Sequence, residues 1–173
     1  VSGKATAPGG IDFAKVERLQ IVACGTAYYA GLISRYLFES LARLPVDIDV
    51  ASEFRYREPP VSRNTLAIVV SQSGETADTL AALRWCKAQG MQTAAVVNVH
   101  ESTMAREADV LFPTHAGPEI GVASTKAFTS QVAALTALAI AAAADRGCID
   151  EAEQARLTDV LLESPRLIAQ AVQ

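Results

Sequence analysis

The chain has 173 residues, half of them apolar, and a formal net charge of −4. That length suits one domain with extensions, and the apolar share is enough for a sizeable core. Lysine and arginine are scattered rather than gathered in a stripe, which argues against extended nucleic-acid contact and leaves small anions as the ligand class to look for. Cys24, Cys86 and Cys148 are far apart and form no CxxC pair, so neither a disulfide framework nor a zinc site is indicated, and a reducing cytoplasm is the simplest compartment.

Residues 1–17 read as a leader or linker, rich in Gly, Pro and Ala over 1–10 and without a secretory signal pattern. A first strand is predicted at 19–24. The helical pattern that follows, 26–44, carries Ile33, Leu37, Leu41 and Leu44 on one stripe and ends at Pro45. After a second strand at 47–51, the segment EFRYRE (53–58) interleaves charges of both signs with aromatics, which suits a surface helix or a subunit contact. The third strand, 66–71, is an unbroken apolar run that turns abruptly into SQSGET and a helix over 76–89 stopped by Gly90. A fourth strand at 93–99, a short helix at 102–108 and a fifth strand at 110–113 come next. The loop 116–126 then leads into an alanine-rich helix, 126–144, apolar almost all round. Its apolar stretch, 132–144, is too short to cross a bilayer and reads as a buried helix. A last helix should begin near Asp150, with Ser164 and Pro165 as N-cap and first turn of a further segment.

Strands alternating with helices predict βαβ units and a parallel sheet. The third and fourth strands read as central, and the edge strands as more mixed. The fold class expected is α/β: one doubly wound, five-stranded parallel sheet flanked by helices. Ligands of such sheets bind at the carboxyl ends of strands where strand order reverses, and both Cys24-Gly25-Thr26 and the serine loop lie at such ends.

In the serine loop, Ser71, Gln72, Ser73 and Thr76 cluster side-chain donors where Gly74 frees the backbone, ahead of helix N–H groups that lack intrahelical partners. A phosphate there would meet fixed donors without any Lys or Arg. The same residues would also serve as an ordinary N-cap, with Glu75 in the first helical turn. Thr26 can likewise cap the first helix. The glycines do not match GxGxxG, and no acidic residue ends the second strand, so a dinucleotide is disfavoured. Cys24 reads as a small buried hydrophobe, Ser73 lacks the glycine of a nucleophile elbow, and His100 and His115 read as isolated loop residues. The loop 116–126 fits either a segment that folds over a ligand or a capped entry to the next helix, and Glu119 and Lys126 read as solvated charges.

Four motifs in order, CGTAYYAG (24–31), ASEFRYRE (51–58), SQSGETADTL (71–80) and GPEIGVASTKAFTSQ (117–131), closely resemble the first sugar-isomerase (SIS) half of the isomerizing, glutamine-dependent glucosamine-fructose-6-phosphate aminotransferases. The resemblance covers about 18–147 and implies a flavodoxin-like three-layer sandwich there, with 148–173 a helical extension leading to a second SIS half. It implies that the parent enzyme converts fructose 6-phosphate and glutamine into glucosamine 6-phosphate and glutamate, and that ligands here are sugar phosphates, glucose 6-phosphate included. By the same resemblance, the phosphate loop falls on Ser71, Gln72, Ser73 and Thr76. Sugar contacts fall on Thr26 and Val122, with Ser124 beside them, while Ala27 replaces a serine common in the family. No residue of this chain matches the family's ring-opening histidine, isomerisation glutamate, Schiff-base lysine or glutaminase cysteine. A catalytically inactive binding half is therefore expected, with no metal or cofactor. Its implied partners are a glutaminase domain, the second half and a second copy in a homodimer. A stand-alone phosphosugar isomerase or deglycase, or a sugar-phosphate sensor joined to a DNA-binding module, would share the serine loop but not EFRYR together with GVASTKAF.

Overall fold

The computed structural model describes residues 10–62, 64–120 and 124–171. Five strands form one parallel sheet: β1 (Arg18–Ala23), β2 (Val46–Val50), β3 (Thr65–Ser71), β4 (Gln92–Val97) and β5 (Val110–Pro113), in the order β2-β1-β3-β4-β5. Each differs from its predicted span by a residue or two at most at either end. Side chains alternate between the faces, as the two-residue period of a strand demands. Leu19, Ile21, Leu66, Ile68, Val70, Ala94 and Val96 enter one core cluster, while Val22, Ala67, Val69, Ala95 and Val97 enter the other. All seven residues of β3 are buried.

On the first face lie α1 (Gly25–Leu41) and α5 (Lys126–Asp145), and on the second α2 (Ala51–Arg57), α3 (Ala77–Ala88) and α4 (Thr103–Glu107). The face of α1 that packs matches the predicted stripe only in part: Leu37 and Leu41 lie half-buried against the core and Leu44 is fully buried. The buried residues of α1 itself are Ala27, Ala30, Gly31, Ser34 and Phe38, whereas Ile33 is exposed and Leu44 lies beyond the helix end. The reason is close approach: a Cβ on Gly31 would lie 2.7 Å from Ile48 Cδ1 and 2.9 Å from Ile21 Cγ2, so small residues let the helix settle on β1 and β2. In EFRYRE, Phe54 is buried against Trp85 at 5.2 Å between ring centres, and Tyr56 stays in solvent.

Part of the stretch read as leader joins the main core: Ile11 and Phe13 are 0% exposed. Arg146, just past α5, fastens that segment by donating to the carbonyls of Phe13, Val16 and Ala42. Helix α5 extends beyond the apolar stretch 132–144. By length and composition it could cross a membrane, but in this fold α1 and the last helix lie against it. That last helix, α6 (Glu151–Ala171), is continuous through Pro165, and none of its residues is buried. Ser164 is therefore not an N-cap; its hydroxyl donates to Leu161 O within the helix.

Candidate functional site

The order β2-β1-β3-β4-β5 reverses direction between β1 and β3, so the loops leaving these two adjacent strands diverge and open a crevice at their carboxyl ends. A cavity of about 430 Å³ lies there. Its lining includes Thr26, Ser71, Gln72, Ser73 and Thr76, all at the loops expected, together with Ser124 and Gln131 from the approach to α5 and its second turn. Val122 lies outside the described residues. The volume falls within the range of small-ligand pockets.

Both helices that begin at this crevice are left without side-chain caps. The N-cap of α1 is Cys24 and that of α3 is Thr76, and neither makes a capping hydrogen bond. Thr26 thus sits within the first turn of α1 rather than capping it. The first-turn N–H groups of two helices, with the positive ends of their dipoles, are left for a ligand. The ordinary N-cap alternative is not what the structure contains.

The serine hydroxyls organise the loop from within. Ser71 Oγ accepts from Gly74 N at 3.1 Å and shares a hydrogen bond with Thr76 Oγ1 at 3.2 Å, and Ser73 Oγ accepts from Glu75 N at 3.2 Å. A hydroxyl oxygen occupied by a backbone N–H keeps its proton to give elsewhere, which is the polarity an anion requires. No charged residue is among the described lining, so the donors are neutral dipoles held in place.

The loop is also clamped from behind by α4. Gly74 has φ +67° and its carbonyl accepts from Met104 N at 3.1 Å. Glu75, expected in the first turn of α3, instead accepts the Thr103 N–H at 2.7 Å and so serves α4. That backbone hydrogen bond holds its carboxyl below the usual glutamate range.

Glu119 is not a free solvated charge. It accepts from Ala127 N at 2.9 Å and Thr125 Oγ1 at 3.2 Å, and the Ala127 bond chiefly lowers its pKa. It thereby caps α5, whose N-cap Thr125 provides no side-chain bond. Cys24, read as a buried hydrophobe, is half-buried, lines the cavity and accepts weakly from Thr79 Oγ1.

Two residues were missed from sequence. Asn98, just after β4, is a buried junction: its N–H donates to Gln72 O, its Nδ2 to Gly117 O, and its Oδ1 accepts from Thr114 Oγ1 and Ala116 N. It ties the serine loop to the loop after β5. Gln131 is the other, and its signal was present as a lone long polar side chain in an apolar helix. His100 and His115, read as isolated, have ring centres 4.7 Å apart in a neighbouring cavity that also meets Gln72. Among the described residues, no group of three or more His, Cys, Asp or Glu is arranged to hold a metal.

Comparison with known proteins bears on this geometry. The SIS domain model matches residues 12–141. The chain is 65% identical over 172 residues to the glutamine–fructose-6-phosphate aminotransferase (isomerizing) of Caulobacter vibrioides, covering 99% of this chain and 28% of that protein. It is 57% identical to the protein of the same name from Bartonella quintana over 91% of this chain and 26% of the relative. The chain thus spans little more than a quarter of the length of these curated relatives. Among solved structures, the C-terminal domain of glucosamine-fructose-6-phosphate aminotransferase from Francisella tularensis superposes with a TM-score of 0.90 at 42% identity, over 92% of this chain and 46% of that one. A family model covering most of the chain and a superposition of this quality agree with the sheet order and the crevice described above: the chain belongs to the SIS domain family.

Proposed function

We propose that this chain is the first SIS half of the isomerase domain of an isomerizing glutamine–fructose-6-phosphate aminotransferase, and that its task is to hold the sugar phosphate. The phosphate sits on Ser71, Gln72, Ser73 and Thr76 with the free N–H groups opening α3, and the sugar extends toward Thr26, Val122 and Ser124. The observation that carries this reading is the neutral, donor-lined cavity at the sheet's switch point, with two helix N-termini uncapped by side chains. Fixed dipoles aimed at an anion need little reorganisation when it arrives.

Catalysis belongs to parts of the parent enzyme outside this chain. Isomerisation needs a positioned base, and amination through a Schiff base needs an activated lysine. Lys15 pairs with Asp12 and Lys87 with Asp109, while Lys126 is exposed at the start of α5; none lines the cavity. The domain boundary read from sequence at residue 18 moves back to about residue 11, because Ile11, Phe13 and Val16 belong to the main core, and 148–173 is kept as an extension. Support for a second SIS half comes from α6, which leaves Val160, Leu162, Leu167 and Ile168 in solvent. An upstream glutaminase domain is what the family resemblance implies, in keeping with relatives of which this chain spans 26–28%. A homodimer in the cytoplasm completes the reading, and its surface need not be α5, eight of whose 20 residues are already buried within this fold. The exposed Tyr29, Ile33 and Tyr36 of α1 offer an apolar face instead.

Titration calorimetry with fructose 6-phosphate tests the binding role. Wild type should bind, and Ser73→Ala and Thr76→Val should each weaken binding by about 1.5 to 3 kcal/mol, as expected for a lost hydrogen bond to a charged group. Binding unchanged by both substitutions refutes the assignment. Formation of glucosamine 6-phosphate from fructose 6-phosphate and ammonium by this chain alone would refute the division of labour.

A further inference from the structure

Among the described residues, two buried side-chain oxygens have no hydrogen-bond partner, Ser124 Oγ and Gln131 Oε1, and both belong to residues lining the cavity at the switch point. Buried polar groups are almost always paired, so two orphans in the wall of one cavity call for a common explanation. Gln131 is the sharper case. It is 1% exposed, in a helix whose other buried residues are all Ala, Leu or Ile, where an apolar side chain would fill the same space without leaving an amide oxygen unpaired. Its position is well defined, because Ala127, one turn earlier on the same face, is held through its N–H by Glu119.

The two sides of the cavity differ in polarity. The serine loop and the helix ends offer donors, which suit phosphate oxygens. Gln131 Oε1 is an acceptor, and the dianionic phosphate of a sugar phosphate monoester has no proton to give it; a carbon-bound hydroxyl has. We propose that Gln131 is the residue that recognises the polyol end of the ligand, with a sugar hydroxyl donating to its Oε1. Gln131 thereby sets the preference for a sugar phosphate over a bare phosphate. The oxygen is covered in this conformation. Rotation about the broad terminal torsion of the amide turns it toward the cavity, and the hydrogen bond gained offsets the desolvation already incurred. The inference rests on the sugar-phosphate reading above and adds to it the residue that discriminates.

The test compares glucose 6-phosphate with inorganic phosphate as calorimetric ligands for wild type and Gln131→Met, with thermal melting measured alongside. The methionine keeps the length and removes the acceptor. The variant should melt no lower than wild type, bind inorganic phosphate unchanged, and lose about tenfold or more in affinity for glucose 6-phosphate. Ser73→Ala, in contrast, should weaken both ligands. Equal loss for both ligands in Gln131→Met, or no loss for the sugar phosphate, overturns the proposal while leaving the sugar-phosphate reading intact. Wild type that binds neither ligand overturns both. If the methionine fails to pack, Gln131→Leu repeats the comparison with a side chain common in this core.

Discussion

Gly74 and Ser102 touch where the serine loop meets the start of α4: a Cβ on Gly74 would lie 2.0 Å from Ser102 Oγ and 2.5 Å from its Cβ. The conformation of the serine loop and its packing on α4 thus depend on the same missing side chain. Gly74→Ala should lower stability by about 2 kcal/mol or more, from the left-handed backbone together with the clash, and should abolish sugar-phosphate binding. Adding Ser102→Gly removes the clash but not the backbone strain, so the double variant should recover part of the stability. Urea denaturation of the four proteins of the cycle measures this, and strict additivity would show that the contact does not matter.

Arg146 makes a second such dependence, between the beginning and the end of the domain. Its guanidinium satisfies the carbonyls of Phe13, Val16 and Ala42 at 2.7 to 2.9 Å. Arg146→Met keeps much of the aliphatic packing and removes every donor, so it should cost roughly 2 to 4 kcal/mol. It should also make the segment 11–16 the first cleaved in limited proteolysis. A change below about 0.5 kcal/mol, the range of an ordinary surface substitution, would contradict this account.

Acid should loosen the serine loop, 71–76, through Glu75. Its carboxyl is held below its ordinary value by the Thr103 N–H, so the stabilisation is present above about pH 4.5 and is lost as pH falls through the depressed folded-state value. Protonated glutamate resembles glutamine. The melting temperature of Glu75→Gln should therefore lie below wild type at pH 7, and the gap should close in acid. A gap that stays constant from pH 7 to pH 3, or widens, would remove Glu75 from this role.

The alternation of apolar runs with helical periods was enough to determine five parallel strands and their order of appearance, because the strand runs are short and bounded by helical stretches, even where the edge strand β2 carries an exposed Asp47. Residues 71–76 were also legible as a donor-rich loop at a strand-to-helix junction, and the structure places Ser71, Gln72, Ser73 and Thr76 in the lining of one cavity. Local pattern failed where contact across the fold decides. Ile33 was read as buried because it lies on an apolar stripe, yet α1 turns its small residues inward, where β1 and β2 approach too closely for a large side chain. Glu75 and Glu119 were read as first-turn and solvated charges, while each accepts a backbone N–H at a helix start 28 and 8 residues further along the chain. The pairing of His100 with His115, the junction at Asn98 and the orphaned oxygen of Gln131 likewise depend on which loops the sheet brings side by side. The sequence by itself therefore determined the five strands and most of the helices between them, which depend on near neighbours, though not the continuation of α6 through Pro165. Only the tertiary structure decided which polar groups are satisfied and which are left free for a ligand, because hydrogen-bond partners are set by proximity in space.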